Sequence, residues 1–239
     1  MNYKLVSVVL PVHRQAEQVA DLGRCFATAI QKVGVDYEIL FVVNGPQDGT
    51  LEAARAVASS TPHLRVTHTA QAGWGHAVRV GLETAKGDLI CYTNTARTPD
   101  DVLTAIVAHA ITNSGMVVKA TRRTRDNWVR RLGSVLYNLE CRALFDLPYF
   151  DINGTPKVFP REFSALLQLR QDDDLIDAEF MTECRSHGYP VVEIPIVPTP
   201  RRGGRSTTSV SSAFRMYAGA LALHRDMRRR RTPLPPPVS

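Results

Sequence analysis

The feature that most constrains this chain is an alternation in its first half. Short runs rich in β-branched and aliphatic residues are separated by stretches with apolar residues three and four apart. Leu5–Val12 and Tyr37–Val43 are almost continuously apolar, as strands buried on both faces must be. Between them, Ala16–Val33 places Val19, Leu22, Cys25, Phe26, Ala29 and Ile30 on one face of a helix. Asp48 is expected to cap a helix over Leu51–Ser59. Strands over Leu64–Thr69, Leu89–Thr93 and Met116–Ala120, with helices over Gly75–Thr84 and Asp100–Thr112, continue the rhythm. This series specifies an α/β fold, a mostly parallel central sheet flanked by helices. Ligands of such sheets bind beyond the carboxyl ends of the strands, so chemistry is expected in the loops after Val12, Val43 and Thr93.

The second half changes character. Trp128–Leu144 reads as a helix with the stripe Val129, Leu132, Leu136, Leu139 and Ala143. Asn153 and Gly154 mark a turn before a strand-like Lys-Val-Phe, and a helix is expected over Arg161–Leu169. A helix over Asp177–Ser186, a strand over Val191–Ile196, a loop over Pro198–Arg205 and a helix over Val210–His224 complete the reading. The last of these puts Val210, Phe214, Tyr217, Leu221 and His224 on one side. The expected organisation is one principal domain over 1–207, an amphipathic and basic helix over 208–231, and an unpacked Pro-rich tail over 232–239.

Composition narrows the function classes. With 44% hydrophobic and 22% charged residues the chain is an ordinary globular protein, neither disordered nor collagen-like. No apolar run reaches the roughly 18 residues of a membrane span. The four cysteines lie far apart with no CxxC pair, which argues against a zinc or redox motif and for free thiols in a reducing compartment. The net charge of +6 is concentrated: residues 201–239 carry nine Arg against one Asp. A second basic group, Arg122, Arg123, Arg125, Arg130 and Arg131, lies mid-chain, and such clusters serve phosphate groups or form solvated faces. Nucleic-acid binding lacks an aromatic-interleaved groove. A nicotinamide enzyme is disfavoured because no GxGxxG follows the first strand.

The ordered blocks VSVVLPVHRQAEQV, YEILFVVNGPQDGT, GWGHAVRVGL, GDLICYTNTARTPDD, WVRRLGSVLYNL, DINGTPKVFPRE, DAEFMTECRSHGYPVVEIPI and RRGGRS span residues 5 to 207. In order and spacing they resemble the family-2 glycosyltransferases, and within them the dolichyl- or polyprenyl-phosphate mannosyl- and glucosyltransferase group. The resemblance implies a GT-A fold, a nucleotide-sugar donor, inversion at the sugar carbon and a lipid-phosphate acceptor. It implies donor contacts from Pro11, His13, Gln15, Asn44, Gly45, Asp48, Gly75, Asn94 and Ala96. Arg122, Arg130 and Ser134 match positions that hold the acceptor phosphate. Asp177, Glu179, Arg201 and Ser206 match further acceptor-side positions.

Departures from the family pattern fall on its acidic residues. Val43 and Asn44 stand where two acidic residues usually end the second strand, Gln15 where a first-loop glutamate is usual, and Thr98 where a glutamine is. Asn94-Thr95-Ala96 replaces the DxD that holds a divalent cation, and Thr207 replaces the lysine of the late loop. Mg²⁺ and Mn²⁺ want hard anionic oxygens, so no metal site and no cofactor are expected. Arginine, with Arg97 next to the altered tripeptide, is the expected substitute for the cation.

Each position also has a plainer reading. Arg97 reads as a solvent-facing loop residue, Asp48 as a helix cap, Asp177 and Glu179 as first-turn carboxylates on a helix dipole. His13 offers a base-stacking ring or an incidental loop side chain. Trp74, Gly75 and His76 form a turn whose N–H groups could meet a phosphate. Val210–Arg231 could rest on an anionic membrane or pack on the domain with a basic tail. The expected protein is a cytoplasmic transferase, peripheral on the cytoplasmic membrane face. The competing reading is a non-catalytic GT-A scaffold that has kept the fold and lost the reaction.

Overall fold

The computed structural model describes residues 3–46, 48–122, 128–197 and 210–230. Its elements, in chain order, are β1 (Leu5–Val12), α1 (Val19–Gln31), β2 (Asp36–Asn44), α2 (Thr50–Ser60), β3 (Leu64–Thr69), α3 (Trp74–Thr84) and β4 (Leu89–Tyr92). There follow α4 (Asp100–Thr112), β5 (Val117–Arg122), α5 (Trp128–Phe145), β6 (Lys157–Pro160), α6 (Ile176–Ser186), β7 (Val191–Ile196) and α7 (Val210–Arg230). The seven strands form one sheet in the order β3-β2-β1-β4-β6-β5-β7. All pairings are parallel except those of β6, which runs antiparallel between β4 and β5.

Alternation along the strands sends their apolar side chains to two cores. One packs Val8, Leu10, Ile39, Phe41 and Val118 under α1, α2 and α4. The other packs Val9, Val42, Ile90, Tyr92 and Phe159 under α3, α5, α6 and α7. Gly81 makes the second packing possible, because a Cβ there would lie 2.1 Å from Val9 Cγ1.

One row of the second face is polar. Tyr92 on β4 pairs with Lys157 on β6, Lys157 with Lys119 on β5, and Lys119 with Glu193 on β7. Both lysines are fully buried. Lys119 meets Glu193 at 2.7 Å, and Lys157 is ion-paired to Asp177 at the start of α6.

Two sequence expectations are corrected. Arg161–Leu169 is not an α-helix but a 3-10 turn over Ser164–Leu167. Its start is pinned: the Arg161 N–H bonds the Asp88 carbonyl, and the guanidinium bonds the carbonyls of Gly87 and Ala85. The apolar face of α7 is also rotated from that expected. Ala220, Leu223 and Met227 are buried, Tyr217 donates to the Gly133 carbonyl at 2.7 Å, and His224 packs on Phe145. Leu221 points outward at 45% exposure. This helix rests on α5 and runs on through Arg228 and Arg229, within the basic helix expected over 208–231.

Candidate active site

The carboxyl ends of β1, β2, β4 and β5 lie along one rim of the sheet. The first two are tied together. His13 Nδ1 donates to the Asn44 carbonyl at 2.7 Å, and Asn44 Nδ2 donates back to the Val12 carbonyl at 3.1 Å. Asn44 Oδ1 accepts from Gly73 N at 3.3 Å, which draws the start of α3 to the same place. Gly45 has φ +94°, and a Cβ on it would stand 2.8 Å from the His13 ring. Only glycine suits both the backbone and the ring.

Gln15 lies beneath this junction and is 6% exposed. Its backbone N donates to Thr50 Oγ1, and its side-chain Oε1 accepts from Thr95 Oγ1 at 3.0 Å. Its Nε2 has no partner. Pro11 is buried at the end of β1. Asp48 is exposed and accepts the Thr50 N–H at 3.1 Å, but it is not the expected cap: α2 starts at Thr50, and the N-cap is Gly49, whose left-handed backbone carries no side-chain cap. The Asp48 carboxyl is held below the usual range, first by the Thr50 hydroxyl.

The Asn94-Thr95-Ala96 tripeptide folds onto itself. Asn94 Oδ1 accepts the Ala96 N–H at 3.0 Å, and its carbonyl accepts from the N–H groups of Arg97 and Thr98. Thr93 and Thr98 share a hydroxyl contact of 2.6 Å beneath it. Thr95 is spent on Gln15, Ala96 is buried without a donor atom, and Arg97 is exposed at the tip. This neutral set does not suit a hard divalent cation. Among the described residues no group of three or more His, Cys, Asp or Glu is placed to hold a metal.

The turn that opens α3 is closed by protein. The His76 N–H, one of those expected to meet a phosphate, donates to the Asp172 carbonyl at 2.9 Å. A Cβ on Gly75 would come within 2.4 Å of the Gln171 carbonyl. Asp172 is fastened to α3 by His76 Nδ1 and Arg79. Burial pushes its carboxyl up, but those hydrogen bonds outweigh it and leave the group below its usual range.

Asp177 and Glu179, matched to acceptor-side positions, are both buried, and protein groups engage their carboxylates. Asp177 takes Tyr92 OH at 2.9 Å, Trp74 Nε1 at 3.3 Å and the Lys157 ammonium. Glu179 accepts the backbone N–H groups of Arg170 and Gln171 at 2.8 and 2.9 Å and so shapes the segment that closes α3.

Arg122 ends β5 at the same rim. Asp151 receives its backbone N, its Nε at 2.7 Å and its Nη2 at 3.0 Å, and Nη2 also donates to the Asn153 carbonyl. Burial works against the guanidinium charge, yet Asp151 more than compensates and raises its pKa. Nη1 has no partner among the described residues. Ser134 lies on α5, where its carbonyl and hydroxyl accept from Asn138 Nδ2, and Asn138 Oδ1 in turn accepts from Ile152 N. Arg130 is on α5, but its side chain, like Arg201 and Ser206, lies outside the described residues.

Sequence reasoning missed Lys119, Lys157, Asp151 and Glu193. The available signal was a lysine between Val118 and Ala120 in an otherwise apolar strand, a charge that a buried strand can hold only with a partner.

A mostly parallel seven-stranded sheet with one antiparallel strand, β6, inserted between β4 and β5 is the architecture of a GT-A glycosyltransferase. The profile of Glycosyl transferase family 2 matches residues 7–165, and the chain belongs to that family. It is 29% identical over 140 residues to the undecaprenyl-phosphate 4-deoxy-4-formamido-L-arabinose transferase of Aeromonas hydrophila, covering 57% of this chain and 43% of that protein. It is 26% identical over 209 residues to the enzyme of the same name from Pseudomonas fluorescens, covering 85% and 60%. The chain therefore spans less than two thirds of either relative. In structure it resembles glucosyl-3-phosphoglycerate synthase from Mycobacterium tuberculosis solved with Mn²⁺, UDP and phosphoglyceric acid. The TM-score is 0.71 at 16% identity, over 92% of this chain and 76% of that one.

Proposed function

We propose that this transferase moves a sugar from a nucleotide-diphosphate donor to a polyprenyl phosphate, with inversion at the anomeric carbon, and that arginine replaces the divalent cation. The observation that carries the reading is Arg122, clamped by Asp151 through Nε and Nη2 with its Nη1 edge unpartnered among the described residues. A guanidinium held this way is ready for a second anion. The names of the two relatives support the acceptor class.

In the reaction an acceptor phosphate oxygen attacks the anomeric carbon opposite the leaving group. The carbon–oxygen bond to the diphosphate breaks, and its electron pair leaves with the nucleoside diphosphate. An acceptor phosphate is already ionised near neutral pH, so no proton has to be removed. That agrees with a carboxylate, Asp177, already engaged by Tyr92, Trp74 and Lys157. Arg97 and Arg122 would meet the charge that develops on phosphate oxygens.

A lipid acceptor requires approach to a membrane. No described helix is long and apolar enough to cross one. On α5, Val135, Leu136 and Leu139 are 47%, 49% and 53% exposed on one face, and Phe150, whose ring lies under Arg142 of the same helix, is 72% exposed. With Arg225, Arg228 and Arg229 on the adjoining α7, this stripe supports peripheral contact with an anionic bilayer. The apolar contact is then made by α5, with α7 supplying positive charge.

The test is transfer from a panel of labelled nucleotide sugars to undecaprenyl phosphate in Mn²⁺ and in EDTA. Turnover that persists in EDTA and falls at least tenfold in Arg122→Ala is expected. Loss in EDTA that Mn²⁺ restores would overturn the replacement of metal by arginine. Transfer only to hydroxyl acceptors would overturn the acceptor class. Co-sedimentation with anionic vesicles, abolished in Leu136→Asp/Leu139→Asp, tests the membrane face.

A further inference from the structure

Resting on the reading of Arg122 just given, we infer that Lys119 is a positioning residue for the acceptor-phosphate arginine and acts through Asp151. Lys119 is fully buried, and its Nζ has two partners: the Asp151 carbonyl at 2.6 Å and Glu193 Oε1 at 2.7 Å. The Asp151 carboxylate holds Arg122 in two parallel bonds. The chain of contacts thus runs from the sheet interior to the guanidinium through a single residue.

The whole of segment 150–153 is fixed in the same way. Phe150 N donates to Glu193, Ile152 N to Asn138 Oδ1 at 2.8 Å, and the Asn153 carbonyl accepts from Arg122. Without these anchors Asp151 would sit on a connection between α5 and β6 free to follow its partner. An anion arriving at Nη1 competes with Asp151 for the guanidinium. If Asp151 could move, the arginine would swing toward the ligand and lose its orientation. Lys119 and Glu193 hold the Asp151 main chain, so the carboxylate keeps its place while the outer edge of the guanidinium takes the phosphate.

Stability alone does not account for an ammonium here. Burying an ion costs several kcal/mol before its partners compensate, and an apolar side chain of similar volume is commonly as stable in such a place. Lys119 also faces a second buried lysine, Lys157, directly across the strands. The ammonium does what no apolar group can: it reaches from the sheet to a carbonyl and a carboxylate at once.

The experiment compares Lys119→Met, Asp151→Asn and the milder Glu193→Gln, each with and without Arg122→Ala. Steady-state KM values are measured separately for a short-chain prenyl phosphate and for the donor, with thermal melts alongside. The acceptor KM should rise between about tenfold and a hundredfold in Lys119→Met, the range expected when a ligand-holding group is misplaced by about 1 Å. The donor KM should stay unchanged, and the effect should vanish in the Arg122→Ala background, because coupled residues lose their separate contributions. A rise in both KM values together, or effects that simply add to that of Arg122→Ala, would overturn the inference and leave the network structural. So would a response to Arg122→Ala with none to the other three. If Lys119→Met does not fold, Glu193→Gln carries the same comparison. An acceptor KM unmoved by Arg122→Ala would overturn the phosphate reading itself, and this inference with it.

Discussion

Lys119 and Lys157 stand directly opposite each other on antiparallel strands, both fully buried, yet each neutralises a different carboxylate. Lys157 serves Asp177 on the side of α3 and α6, and Lys119 serves Glu193 and the Asp151 carbonyl on the side of β7. Their repulsion persists, with Lys119 adding to the burial that disfavours the Lys157 charge, and the carboxylates offset it. Burial lowers the pKa of Lys157, and Asp177 opposes that shift.

Removing one member of the inner pair should be far worse than removing both. Lys157→Met leaves Asp177 buried with its countercharge gone, at a cost of about 3–5 kcal/mol. Asp177→Asn should be comparably damaging, and the double variant should cost clearly less than the sum of the two. Urea denaturation of the three variants checks this. Strict additivity would mean the ion pair has no coupling energy.

Gly75→Ala is expected to loosen the junction between α3 and the segment before α6. The new methyl would stand 2.4 Å from the Gln171 carbonyl and 2.6 Å from that of Asp173, backbone atoms that cannot rotate away. Overpacking of this kind costs about 1–3 kcal/mol. A lowered melting temperature, with faster hydrogen exchange at the His76 amide, is the expected result. A neutral melt would show that the junction yields.

Asn94→Ala should be a stability change with little effect on catalysis. It deletes the acceptor for the Ala96 N–H, worth about 1 kcal/mol. If no cation is bound by the tripeptide, turnover should change less than about threefold, equally in Mn²⁺ and EDTA. A selective loss in Mn²⁺ would assign Asn94 to a metal.

Asp174 gives the fold a pH dependence of unusual sign. Burial, then the charges of Asp177 and Asp173, push its carboxyl up to about 6. Between the ordinary aspartate range and about pH 6 the unfolded chain has released this proton while the folded chain keeps it. The contribution is therefore present at low pH and is lost as pH rises through that window. Asp174→Asn should raise the melting temperature near neutral pH and leave it unchanged near about pH 3. Asp174 is nonetheless an exposed residue, so solvent screening keeps the effect small. Parallel melting curves across pH for the two proteins would contradict the assignment.

Much of this was legible in the sequence because periodicity reports burial. β1, β3 and α4 fall on the expected residues, since each is long enough for its pattern to be unambiguous. Strand direction is another matter. Lys-Val-Phe reads identically whether it runs up or down the sheet, so nothing local announces that β6 opposes its neighbours. The face of α7 was misplaced for a related reason. Met216, Ala220, Leu223 and Met227 form as good a stripe as Val210, Phe214, Tyr217 and Leu221, and only contact with α5 chooses between them.

The loops of the rim were recognised through the family pattern, but what holds them together was not. Asn44 was marked as a lost carboxylate. Its amide does something a carboxylate could not, donating to the Val12 carbonyl while accepting from Gly73. Asp177 and Glu179 were found as a pair, yet spacing does not tell an inward carboxylate from an outward one. Their partners, Tyr92, Lys157 and the Arg170–Gln171 backbone, are remote in sequence or carry no side-chain signal.

The reversed strand also works as a spacer. Had β5 paired with β4 directly, the loop carrying Asn94 and Arg97 and the end of β5 at Arg122 would stand one strand apart, about 4.8 Å. With β6 between them the step doubles to about 10 Å at the rim. Four residues, Lys157 to Pro160, set that spacing. A change in how they seat would alter the separation of Asn94 and Arg97 from Arg122 before it altered any of the three.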